Sequence, residues 1–237
     1  MKKKGVNCDV LIFSAHPDDA EMAMGGTLLK LARAGLKLHH VVLTHSEMST
    51  HGDVKTREAE FKSACEFIGC QGEFLDFYDT QVENTPQARL KIARVIRQYR
   101  PAAVFAPYHT NNRGEPGGIA NVDHYATGAL VRDAVKIARL KKTVPELEPH
   151  TVKRLFFYML PRDVLPRLYV NITDLIDDAM ALVRCYKSQM KINFMGNDIE
   201  HILKTKKASF GIEVGAGYAE GFTTDLPLEI TPELIIA

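Results

Sequence analysis

Short unbroken apolar runs alternate with longer stretches of helical period along this chain, and that alternation restricts its fold more than any other feature. The runs are DVLIFSA at 9–15, LHHVVLT at 38–44, GEFLDF at 72–77 and AAVFAP at 102–107. Strands that are apolar throughout must be covered on both faces, which places them in a parallel sheet between helices. The intervening segments have readable helix ends. The first carries Leu28, Leu31 and Ala32 and stops at Gly35; the second contains TREAEFKSACEFIG and stops at Gly69. The third, PQARLKIARVIRQYR, opens with Pro86 and is followed by Pro101. A fourth is expected from about Asp123 to Leu140. Downstream, KRLFFYML and RLYVNI read as strands and DLIDDAMALVRCYKSQM as one long amphipathic helix. No repeat or linker divides the chain, so a single α/β domain over 1–237 is expected.

With 46% hydrophobic and 25% charged residues, the chain can bury an ordinary core. Its 30 basic and 29 acidic residues nearly cancel, so no overall field draws it to nucleic acid or an anionic membrane. MKKKG is basic, but VNCDVLIFSA is too short, and too soon interrupted by Asp9, for a signal peptide or a span. A cytoplasmic protein is expected. Cys8, Cys65, Cys70 and Cys185 lack metal-cage spacing and read as reduced, structural thiols.

Ligands of open α/β sheets bind where strands run into loops at their carboxyl ends. The polar clusters fall there: HPDDAE after the first strand, HSEMSTHGD after the second, YDTQVEN after the third, YHTNNRGEPGGIANVDH after the fourth. His16 and Asp19 leave the first strand in a tight turn where imidazole and carboxylate can reach one cation, and His124 is a third ligand candidate. Three protein ligands leave a position for water, as in catalytic zinc sites. Asp18 is then placed to act as general base. Singly, each residue has a structural reading: a hydrogen-bonded loop histidine for His16, a helix cap for Asp18 or Asp19, a first-turn acid for Glu21, a surface histidine for His124. Jointly and in this order they favour a metal site. A nucleotide-binding Rossmann enzyme is disfavoured, because HPDDAE stands where a G-x-G-x-x-G turn would be.

AHPDDAEMAMGGTLLKLARAG resembles the opening of the PIG-L/LmbE-like zinc-dependent N-deacetylases, and the likeness continues through LTHSEMSTHG, TREAE, VFAPY, VDH, CYKSQ and GYAEGF. The resemblance implies a Rossmann-like fold without a dinucleotide, and hydrolysis of an acetamide on an amino sugar or its conjugate, such as a GlcNAc-malate of the bacillithiol type. It also implies zinc or another divalent metal on His16, Asp19 and His124, with Asp18 as base and Arg57 contacting substrate hydroxyls. Glu47, Tyr218 and Glu220 are candidates for shaping the sugar pocket, and a homo-oligomer, a hexamer in many relatives, is implied as well. One departure stands out: the family's H-P-D-H motif reads NVDH here, so Asn121 replaces a histidine that Asp123 would orient. An asparagine can donate to an oxyanion but delivers no proton at neutral pH. His109 would compensate if the loop from His109 to Ala120 folds over the site. A metal-binding protein with lost or altered hydrolysis is the alternative.

Overall fold

In the computed structural model the described residues are 7–111 and 121–229. Segment 112–120, the greater part of the loop expected to fold over the site, lies outside them. The chain order is β1 (Val10–Ser14), α1 (Asp19–Arg33), β2 (Leu38–Thr44), α2 (Val54–Ile68), β3 (Gln71–Phe77), α3 (Pro86–Tyr99), β4 (Ala103–Pro107), α4 (Val122–Ala138), β5 (Arg154–Tyr158), β6 (Leu168–Asn171), α5 (Ile176–Val183), β7 (Asn193–Phe194), β8 (Asn197–Asp198), α6 (Ile199–Glu213) and β9 (Ala219–Phe222). The first five strands form one parallel sheet in the order β3-β2-β1-β4-β5, flanked by helices in a Rossmann-like α/β domain. β1 and β2 are buried throughout, as their unbroken apolar runs predict, whereas β3 is an edge strand and largely exposed. The strand order reverses between β1 and β4, so the loops after these two strands diverge and leave a crevice at the carboxyl edge.

Local chemistry sets the helix ends. Asp53 and Thr85 accept the N–H groups of Thr56 and Ala88 as N-caps of α2 and α3, and Gly69 ends α2 with φ 80°. The long helix expected after Asp174 does not form. α5 stops at Val183, and the chain turns so that Tyr186 is buried and Ser188 donates its N–H and Oγ–H to Glu60 at 2.7 and 2.8 Å. Two buried hydrogen bonds to a carboxylate outweigh the extra helical turns. RLYVNI does form a strand, β6, but pairs antiparallel with β9 in a separate ribbon.

α1 is interrupted at Met24, whose φ of −140° is not helical. The break frees two carbonyls and two amides, and one ion pair takes all four. Lys207 Nζ donates to Met22 O and Ala23 O at 3.0 and 3.2 Å. Glu220 accepts Gly26 N–H and Thr27 N–H at 3.0 and 2.7 Å, the Thr27 hydroxyl at 2.6 Å, and Lys207 at 2.7 Å. Gly26 is required where Ile172 lies so near that a Cβ would approach it to 2.8 Å. Glu220 is therefore held inside the fold, not in a sugar pocket, and Tyr218 packs with the α5 core cluster. Glu220→Ala should strand the buried Lys207 ammonium and lower unfolding stability in urea by about 3–5 kcal/mol. Combining it with Lys207→Met should recover part of that loss.

Candidate metal centre

The turn from β1 into α1 is built around Asp19. Its Oδ2 accepts the N–H groups of both Ala15 and His16 at 2.9 Å, which folds the carboxylate back over the strand end. The other oxygen, Oδ1, lies 3.0 Å from His124 Nε2 at the head of α4. His16 Nδ1 is 3.3 Å from the same His124 nitrogen and 3.9 Å from Asp19 Oδ2. One ligand atom from each of His16, Asp19 and His124 thus falls within 4.8 Å of the other two. The charges of His124 and His16 hold the Asp19 carboxyl below the usual range, against the opposing effect of burial.

The far nitrogen of His16 is engaged differently. Nε2 lies 2.9 Å from Asp79 Oδ1 and 3.3 Å from Asp123 Oδ2. Burial alone would lower the His16 pKa, but hydrogen bonds to Asp123 and Asp79 and the charge of Asp19 raise it to about 10. Both acids are anchored: Asp79 Oδ2 accepts Met48 N–H at 3.1 Å, and Asp123 accepts Thr80 and Val82 N–H at 2.6 and 3.2 Å. A carboxylate on the outer nitrogen fixes the proton there and leaves Nδ1 as the donor atom. Asp79 was not singled out from the sequence, although it lies in the YDTQVEN loop flagged there. Glu47 is half-buried beside it, accepting Asp79 N–H at 3.3 Å.

Asp18 occupies the N-cap position of α1 but makes no capping bond, and its φ is 102°, a left-handed conformation unusual for a residue with a Cβ. The strain turns its carboxylate toward Arg57, whose Nη2 donates to Asp18 Oδ2 at 2.8 Å and to Pro17 O. Burial dominates and, with Asp19 alongside, raises the Asp18 pKa to about 7 despite Arg57. Arg57 is itself only 2% exposed, beneath Asp18, with Glu60 3.5 Å away and the Tyr186 ring 5.6 Å away. The structure thus gives it an acid to hold and not the open substrate contact implied by resemblance.

Asn121 is the N-cap of α4, exposed, with its Oδ1 accepting Asp123 N–H at 3.0 Å. His109 is not joined to the cluster. Its Nδ1 lies 3.1 Å from Arg132 Nη1 and 2.7 Å from the Thr110 hydroxyl, its Nε2 lies 3.1 Å from Asp225, and its ring stacks on Tyr108. Burial and Arg132 lower its pKa in spite of Asp225. Among the described residues its partners are Thr110, Arg132 and Asp225 rather than the cluster, and the loop on which its expected compensating role depends lies largely outside them.

Behind the turn, a buried chain of polar groups braces β1. Ser14 Oγ meets His40 Nε2 at 2.7 Å and Tyr158 Oη at 2.9 Å, Tyr158 donates to Phe13 O at 2.8 Å, and His40 Nδ1 lies 3.2 Å from Glu21. Burial opposes the charged form of His40, but Glu21 beside it raises the pKa overall.

Residues 11–135 match the family model described as PIG-L, GlcNAc-PI de-N-acetylase. The diacetylchitobiose deacetylase of Thermococcus kodakarensis is 31% identical over 94% of this chain and 86% of its own length. A conserved protein of Thermus thermophilus superposes with a TM-score of 0.82 at 35% identity, covering 95% of this chain and 98% of that one. The N,N'-diacetylchitobiose deacetylase of Pyrococcus horikoshii, complexed with an inhibitor, also superposes with a TM-score of 0.82, at 25% identity, covering 97% of this chain and 88% of that one.

Replacing Asp79 by Asn should leave the three candidate ligands in place but remove a charge that orients His16. Zinc affinity measured by competition with a chromophoric chelator should fall by roughly 10- to 100-fold. Unchanged affinity would show that Asp123 orients His16 alone.

Proposed function

The chain belongs to the PIG-L family of GlcNAc-PI de-N-acetylases, and from that premise we propose that it is a zinc-dependent deacetylase that hydrolyses the acetamide of an N-acetylated amino sugar or its conjugate. The observation that carries this reading is the convergence of His16 Nδ1, an Asp19 oxygen and His124 Nε2, with the Asp18 carboxylate near enough to feel the charges of Asp19 and His16. The donor set fits the metal: two imidazoles and one carboxylate suit zinc or a similar divalent cation, and the outer nitrogen of His16 is already committed to acids. A metal held there supplies Lewis acidity, polarising the amide carbonyl and acidifying water.

The chain's own residues supply the rest. Asp18 accepts a proton from the attacking water as the C–O bond forms at the carbonyl carbon. As the C–N bond breaks, it returns that proton to the departing nitrogen, releasing acetate and a free amine. Arg57 holds the Asp18 carboxylate in position, and the Asp19 turn keeps the base beside its ligand. Glu47, on the loop after β2, helps shape the sugar site in this reading, which its contact with the Asp79 backbone supports. The base and its arginine are both present, which favours hydrolysis over the binding-only alternative suggested by Asn121. Among the described residues no helix is long and apolar enough to cross a membrane. Cytoplasmic location, expected from the sequence, and homo-oligomeric assembly, implied by the resemblance, form part of this proposal.

The test is release of free amine from a panel of N-acetylglucosaminides, with zinc content measured on the same sample. His124→Ala should lose zinc and activity together. Asp18→Asn should keep stoichiometric zinc while turnover falls by roughly a hundredfold or more. Normal turnover in Asp18→Asn would move the base elsewhere.

A further inference from the structure

The proposed metal centre does not stand alone at this edge of the molecule. His124 also lines a cavity of about 310 Å³ between the head of α4, the end of β4, the loop leaving β5, and α6. Its walls are Tyr108, Tyr125, Leu160, Val164, Pro166 and Phe210. That volume is at the lower end of small-molecule pockets, enough for one ring or a short chain and too small for an extended oligosaccharide.

The cavity is pre-formed. The loop leaving β5 carries Pro161 and Pro166, closes a turn through Val164 N–H to Pro161 O at 3.0 Å, and is tied down by Arg167 N–H to Phe222 O at 2.9 Å. Pro166 packs against β9 at Gly221, where a Cβ would come within 2.6 Å of its ring. Tyr108 N–H donates to Tyr158 O at 2.8 Å, fixing the opposite wall. Thr110, Asn111, Arg162, Asp163, Lys206 and Ser209 also line it, but the larger part of the enclosing surface is apolar. An aromatic or aliphatic group would cover that larger apolar part and lose its own contact with water.

A second observation points the same way. Several residues beside the site acids expose large apolar side chains: Met48 is 59% exposed and Tyr78 50%, on the loops after β2 and β3, and Val122 is 49% exposed at the start of α4. Leu165, on the cavity's own loop, is 80% exposed. Single exposed apolar residues are ordinary, but several next to a catalytic cluster mark a surface that a ligand covers.

We propose that this cavity receives an apolar or aromatic substituent of the amino-sugar substrate, seated against Tyr125 and Phe210 while the acetamide lies at the His16–Asp19–His124 cluster. The inference rests on the deacetylase reading and narrows it to a substrate that carries an apolar or aromatic group beside the amino sugar. The substituent has two possible sources, a group on the anomeric oxygen or a longer N-acyl chain, and separate substrates distinguish them.

The zinc-loaded protein is assayed on N-acetylglucosamine, N,N'-diacetylchitobiose, phenyl N-acetyl-β-glucosaminide and N-hexanoylglucosamine, reading free amine. The expected result is a kcat/KM for the phenyl or the hexanoyl compound about tenfold or more above the first two, the scale of filling an apolar pocket. Preference for the phenyl compound assigns the cavity to the aglycone, and preference for the hexanoyl compound assigns it to the acyl group. Ser209→Trp, which fills the cavity from α6, and Leu165→Ser, at an exposed position, should each pull that ratio toward unity with melting temperature retained. If the preferred compound is the phenyl glycoside, calorimetry should also show phenyl β-glucosaminide binding about tenfold more tightly than glucosamine. Hydrolysis of N-acetylglucosamine with no preference for either apolar substrate overturns the cavity assignment and leaves the deacetylase reading standing. No amine from any of the four overturns both.

Discussion

The carboxylate of Asp19 is the constraint on which the rest of the site depends. One of its oxygens accepts the N–H groups of Ala15 and His16 and so shapes the turn, while the other faces His124 from a helix more than a hundred residues away. The same side chain thus ends β1, starts α1 and sets the distance between two imidazoles. An asparagine could offer one acceptor oxygen of similar shape, but its amide nitrogen would donate where a metal or an imidazole N–H needs an acceptor. Asp18 follows from this geometry. With Asp19 turned back over the strand, residue 18 takes a left-handed backbone conformation, and its carboxylate cannot cap the helix it precedes. That strain is maintained because Arg57 and the Asp19 turn over-determine it.

Rigidity beneath the turn comes from two buried polar systems instead of uninterrupted apolar packing. The Glu220–Lys207 pair occupies the break in α1 and replaces the helical hydrogen bonds lost there. The Ser14–His40–Tyr158 contacts hold the end of β1 from the other side. Neither reaches the reacting groups directly. They fix the half-turn of α1 that carries Asp19, and small displacements of a catalytic carboxylate carry large costs in rate.

Much of this was legible in the sequence, and the reasons differ from element to element. The parallel sheet followed from strands apolar on both faces, and the meeting of His16, Asp19 and His124 from HPDD at a strand end and a histidine after another strand of the same sheet. Asp79 was harder to see because its role is tertiary: it stands in an ordinary polar loop, and only the placement of β3 beside β2 brings it to the outer nitrogen of His16. Glu220 misled for the opposite reason, since a glutamate in a short glycine-containing stretch resembles a surface acid, while its partner Lys207 lies on α6. The break after Val183 was hidden by a helical pattern that continues through Cys185, where burial of Tyr186 and the bonds from Ser188 to Glu60 decided the outcome.

The charge of the cluster supplies a last physical argument for a cation. Asp18, Asp19, Asp79 and Asp123 are all buried within one small volume, and ionised carboxylates so placed require compensation. Of these four Arg57 faces only Asp18; backbone N–H groups solvate the other three, and the side-chain counter-charges left to them are His16 and His124. Two protonated imidazoles facing each other across 3.3 Å would repel, so the chain cannot balance those acids comfortably with histidine protons alone. A divalent cation held by His16, His124 and Asp19 would remove the conflict, because both imidazoles would then bind in their neutral form while His16 keeps its outer proton for Asp79 and Asp123. The residues that make the cluster electrostatically awkward by itself are the ones that could hold a cation, and they do so while also fixing the backbone at the end of β1.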